Sequence, residues 1–85
     1  MFEVRVTDEA QTEFESLPMT MQPRIQELFL RLIHWPEVSG IKPLRGELKG
    51  SYRIRSGDWR VLFRVDQPAK QITVFRIANR RDVYE

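Results

Sequence analysis

Four arginines, at positions 53, 55, 60 and 64, fall in two short runs: Tyr52-Arg53-Ile54-Arg55 and Trp59-Arg60-Val61-Leu62-Phe63-Arg64. Side chains two apart on a strand point the same way. Tyr52, Ile54, Trp59, Val61 and Phe63 are therefore expected on a core, with Arg53, Arg55, Arg60 and Arg64 converging on the opposite surface. A sheet needs only one apolar face, and a row of like charges repels itself unless an anion sits there. Guanidinium groups stay charged and grip phosphate through paired hydrogen bonds. Such a face suits an RNA backbone, and it would also stabilise the extra negative charge of a pentavalent phosphorane. Each preorganised donor of that kind is worth about 10²–10³ in rate.

RNA supplies its own nucleophile, the 2′-hydroxyl, so cleavage needs neither an attacking water nor a metal. The protein has to hold that oxygen in line, neutralise charge and move protons. Arginine is no ordinary base, which leaves Tyr84 as the titratable candidate. Other chemistries lack their residues. The chain has no cysteine and one histidine, His34, far in sequence from any partner. It shows no metal-ligand cluster, no glycine-rich phosphate loop and no nucleophile elbow. Structural roles compete for the same residues. Tyr52, Trp59 and Phe63 at period two are core rather than base-stacking platforms, Arg64 has Asp58 or Asp66 to pair with, and Asp82 has Arg80 or Arg81. Residue chemistry alone implies a small α+β domain that binds an anion such as nucleic acid.

Eighty-five residues make one domain, 1–85. The 41% apolar content excludes a wholly disordered chain. The net charge of +2 hides an asymmetry. Residues 1–41 carry three arginines against seven acids, a net of −4, whereas residues 42–85 carry eleven lysines and arginines against five acids, a net of +6. The absence of cysteine fits a reducing compartment. Residues 1–5 lack a basic segment leading into an apolar stretch, and no run approaches the length of a membrane span. The expectation is a soluble, cytoplasmic protein.

Residues 2–6 alternate and read as a first strand. Thr7 or Asp8 caps a helix through about Leu17, which Pro18 stops. Thr20 reads as the next cap, with Pro23 in the first turn. Met21, Ile25, Leu28, Leu32 and Trp35 then recur at helical spacing until Pro36. Residues 36–47 read as a loop, followed by strands over 48–55, 58–66 and 71–78. The expected fold is α+β: a small, mainly antiparallel sheet in the order β-α-α-β-β-β, with an N-terminal helical hairpin packed on one face.

These residues resemble the RelE/ParE superfamily of bacterial type II toxins. The match runs through Leu44-Arg45-Gly46, Leu48-Lys49-Gly50-Ser51-Tyr52-Arg53-Ile54-Arg55, Gly57-Asp58-Trp59-Arg60-Val61-Leu62-Phe63 and Arg80-Arg81-Asp82-Val83-Tyr84. The sequence is more similar to the RelE branch, whose members are endoribonucleases that cut mRNA in the ribosomal A site. The resemblance implies a metal-independent endoribonuclease without cofactors. It implies phosphate positioning by Arg53, Arg55 and Arg60, a leaving-group role for Arg80, and base or base-stacking duty for Tyr84. Lys49, Arg64, Asn79, Arg81 and Arg45 are its further RNA contacts, to mRNA and 16S rRNA, while Arg76, expected on the face of Ile72 and Val74, falls outside the set. A cognate antitoxin is the implied protein partner, promoter DNA being reached only through it and no membrane being involved. Two positions depart from the family pattern: both first-strand basic residues are arginine where many relatives carry a titratable group, and Asn79 stands where histidine or lysine is common. The rival readings are a ParE-like, non-catalytic gyrase inhibitor and an inactive remnant that still binds antitoxin.

Overall fold

The computed structural model describes residues 1–82 of the chain. The first strand, β1 (Glu3–Val6), runs directly into α1 (Asp8–Glu15). Thr7 caps that helix, its hydroxyl oxygen accepting from the Ala10 amide at 3.2 Å, and Asp8 and Glu9 complement the positive end of the helix. The second helix, α2 (Gln22–Leu32), starts without the expected Thr20 cap. Thr20 lies in the preceding turn, where the Met21 amide reaches the Pro18 carbonyl at 2.8 Å, and Met21 takes the cap position with no side-chain hydrogen bond. Ile25, Leu28 and Leu32 form its buried stripe. The helix stops at Leu32, and a turn carries the chain through the exposed His34 to Trp35.

Among the described residues five strands, not four, make the sheet, in the order β1-β5-β4-β3-β2. The additional strand, β2 (Lys42–Pro43), sits inside the segment expected to be loop and pairs antiparallel with β3 (Ser51–Ser56). A 3₁₀ turn at Gly46–Leu48 takes up Leu48, so β3 begins three residues later than expected. Two residues and a proline suffice at a sheet edge, where a short, proline-bearing strand also discourages pairing with other chains. The remaining strands are β4 (Trp59–Asp66) and β5 (Gln71–Asn79), followed by a 3₁₀ turn at Arg80–Asp82. β5 pairs antiparallel with β4 and parallel with β1, so the first and last strands lie side by side.

α1 packs on β5 and α2 on β3. Between helices and sheet lie Ala10, Leu17, Ile25, Leu28, Leu32, Ile54, Val61, Phe63, Ile72, Val74 and Ile77. Trp35 closes this core at one end, its ring 5.0 Å from Tyr52 and 5.8 Å from Phe63. Tyr52, Ile54, Val61 and Phe63 thus occupy the side that their period-two spacing implies. The alternation of β5 breaks, however. Its register against β4 shifts between Leu62 and Phe63, so that Val74 faces Phe63 while Arg76 faces Leu62, with Phe75 as the extra residue. Such a bulge re-aims side chains. It removes Arg76 from the face of Ile72 and Val74, where strict alternation would put it.

Candidate functional site

Residues directly opposite on neighbouring strands share a face, so the register maps the basic surface. One cross-strand row reads Lys42, Arg53, Leu62, Arg76 from β2 to β5, and the next reads Arg55, Arg60, Ala78. The Arg53, Arg55 and Arg60 set expected from sequence is therefore brought together, with Lys42 beside it. Arg53 and Arg60 are buried, only 9% and 7% exposed, while Arg55 is exposed. The face is also not purely polar, contrary to the expectation of a single apolar side. Leu62 and Ala78 are buried within it, apart from the main core. An apolar floor lowers the local dielectric and strengthens the field that the guanidinium groups present to an anion. Arg60 is further held by donating from Nη1 to the Gly57 carbonyl at 3.1 Å, across the β3–β4 turn.

Arg64 lies one row further on, opposite Ser51 on one side and Thr73 on the other. Its guanidinium carbon sits 4.4 Å from the centre of the Phe75 ring, a cation–π contact that takes the place of the expected pairing with Asp58 or Asp66. Asp58 instead serves Arg80. Its carbonyl accepts from the Arg80 amide at 2.7 Å, and its carboxylate lies 3.7 Å from Arg80 Nε. Both side chains are about two-thirds exposed, so this ion pair is weak. Arg45 and Lys49 flank the Gly46–Leu48 turn and are exposed, as is Arg81.

Asn79 is not brought to the arginine rows. It pairs in register with Trp59, and it lines a groove against α1 with Thr12, Glu13 and Ser16. Its Oδ1 accepts from the Arg81 amide at 3.4 Å. Tyr84 lies outside the described residues. Arg76 is the basic residue that sequence reasoning set aside and the fold returns to this end of the sheet. Its Nη2 donates to the Asp82 carbonyl at 3.0 Å and its Nε lies 3.9 Å from Glu13 Oε2. No local pattern marks it, because the bulge that turns it depends on pairing with another strand. Among the described residues no group of histidines and acids could hold a metal ion, and no helix is long and apolar enough to cross a membrane.

Residues 4–84 match the family model described as ParE toxin of type II toxin–antitoxin system, parDE. Toxin RelG of Mycobacterium tuberculosis is 29% identical over 83 residues, covering 98% of this chain and 95% of that protein. Toxin RelE of the same organism is 31% identical over 84 residues, covering 98% and 86%. Among solved structures, the toxin–antitoxin complex RelBE2 from Mycobacterium tuberculosis matches with a TM-score of 0.81 at 28% identity, covering 95% of this chain and 93% of that one.

Proposed function

The chain belongs to the RelE/ParE superfamily of type II toxins, and from that premise we propose that it is an endoribonuclease that cuts mRNA in the ribosomal A site and so stops translation. The observation that carries this reading is the Arg55–Arg60 cross-strand pair with buried Arg53 beside it. Two cations held face to face on a rigid sheet are a preformed site for one phosphate.

In this reading the RNA 2′-oxygen attacks the adjacent phosphorus and the bond to the 5′-oxygen breaks. The products are a 2′,3′-cyclic phosphate and a 5′-hydroxyl. Arg53, Arg55 and Arg60 bind the phosphate oxygens and neutralise the charge that builds on them. Arg80, leaving its exposed partner Asp58, stabilises the charge on the departing 5′-oxygen, which takes its proton from water. Tyr84 takes up the 2′-hydroxyl proton or stacks on the neighbouring base. Arg45, Lys49, Arg64 and Arg81 contact flanking mRNA and 16S rRNA. The solved relatives include toxin–antitoxin complexes. A cognate antitoxin that is acidic would cover the basic half and carry the pair to promoter DNA.

Purified ribosomes carrying a defined A-site codon test the reading. The expected result is a message cut in that codon with a cyclic phosphate end, lost in Arg60→Ala. Intact message with the wild-type chain overturns it. The match to the ParE family description favours a second reading, a gyrase-directed toxin without nuclease activity. That reading predicts double-strand DNA breaks in a gyrase assay and uncut RNA.

A further inference from the structure

We propose that Glu13 and Arg76 form a bracket that positions the Arg80–Asp82 turn, and with it Arg80, at the edge of the phosphate face. The catalytic half of this inference rests on the nuclease reading above; the anchoring half does not.

β1 ends where Val6 meets Val74, so beyond that point no strand among the described residues lies beside the outer edge of β5. The Ile77 amide on this stretch finds its acceptor in α1 instead, donating to Glu13 Oε1 at 2.7 Å. The second oxygen of the same carboxylate lies 3.9 Å from Arg76 Nε. Arg76, turned by the bulge, sends Nη2 to the Asp82 carbonyl at 3.0 Å. Helix, bulge and tail are thus linked in series. The turn is tied at both ends, its start by the Arg80 amide to the Asp58 carbonyl at 2.7 Å and its end by Arg76. Arg80 stands on the segment between the two ties.

The geometry favours positioning over simple stabilisation. Glu13 and Arg76 are partly exposed and 3.9 Å apart, a separation at which an ion pair contributes little to folding. Arg76 Nε is buried and donates no hydrogen bond, so the side chain is arranged for the reach of Nη2 rather than for its own best pairing. With Glu13 beside it as a counterion, Arg76 turns from the Lys42–Arg53–Leu62 row to the tail through its bond to the Asp82 carbonyl. Arg76 is therefore a positioning residue for Arg80, and Glu13 positions Arg76.

The test pairs amide hydrogen exchange with ribosome-dependent cutting, on the full chain and its Arg76→Ala, Arg76→Lys and Glu13→Gln variants. Arg76→Ala should speed exchange at the Arg80 and Arg81 amides about tenfold while Ile54 and Val61 keep their protection, a local opening rather than a global one. The turnover number should fall about 10²-fold, the effect of a misplaced group, with KM nearly unchanged. Arg76→Lys, which keeps the charge, should restore part of both. In Glu13→Gln the amide oxygen still accepts from Ile77 but no longer holds the cation, so the tail should loosen with β5 intact. Unchanged exchange at Arg80 and Arg81 in Arg76→Ala overturns the bracket. Faster exchange with undiminished turnover overturns its role in catalysis. A wild-type chain that cuts no RNA overturns the nuclease reading and this catalytic role, while the exchange data still decide the anchor.

Discussion

Arg55 on β3 lies directly opposite Arg60 on β4. Like charges in that position oppose folding, whereas almost any neutral residue would not. Replacing Arg55 by glutamine removes the repulsion and keeps a hydrogen-bonding side chain. Stability in urea should rise by about 0.2–1 kcal/mol, while cutting of ribosome-bound message should fall about 10²-fold. A variant that loses both would mark Arg55 as a structural residue. Gain on one axis with loss on the other is the signature of a binding site.

Arg60 calls for a different outcome. It is buried and already donates to the Gly57 carbonyl, so part of its fork is committed to the β3–β4 turn. Arg60→Ala should lower the turnover number about 10²–10³-fold. Arg60→Lys restores the charge but not the paired donors, and it cannot reach turn and phosphate together. Its activity should stay closer to alanine than to wild type in single-turnover cleavage. Full recovery with lysine would mean that charge alone is needed.

The arginine set was legible because residues 52–55 and 59–61 alternate on either side of the turn at Gly57 and Asp58, and alternation is a local property of a strand. What escaped was non-local. The two residues of β2, one of them Pro43, are too few to show a period. The bulge at Phe75 is defined only against Leu62 and Phe63, so the face of Arg76 follows from pairing rather than spacing. Burial of Arg53 and Arg60 likewise depends on what the folded sheet brings around them, which spacing along one strand does not encode. Thr20 reads as a better cap than Met21, but the turn made through the Pro18 carbonyl starts the helix one residue later.

Salt should separate phosphate contacts from the rest. If four phosphates of a single strand are gripped, the logarithm of affinity should fall against the logarithm of salt with a slope of about −3. Titrating a non-cleavable RNA, methylated at its 2′-oxygens, into the chain by fluorescence anisotropy measures it. Arg64→Ala should reduce the slope by about 0.7, one contact's share. Phe75→Leu removes only the ring beneath Arg64, so it should weaken binding without changing the slope. A slope near zero would remove RNA backbone as the ligand of this face.

Phe63 tests whether the two faces of the sheet are separable. It is fully buried on the helix side, stacked on Tyr52 at 5.8 Å and edge-on to Trp35, yet its chain neighbours Leu62 and Arg64 point to the basic side. A chain of this length is stable by only about 4–13 kcal/mol, and Phe→Ala in a core costs about 3–5 kcal/mol. Phe63→Ala should therefore be substantially unfolded at growth temperature. Phe63→Leu keeps most of the volume and loses the ring contacts, so each 1 kcal/mol it costs should lower Tm by about 4–8 °C in a domain of this size. Measured by circular dichroism, that loss should appear alone. At a temperature where the variant is fully folded it should cut ribosomal message at the wild-type rate, because the replaced ring lies on the helix side of the sheet and the arginine rows on the other. Reduced cutting by a folded Phe63→Leu chain would mean that the core sets the arginine geometry through Leu62, and that the two faces act as one unit.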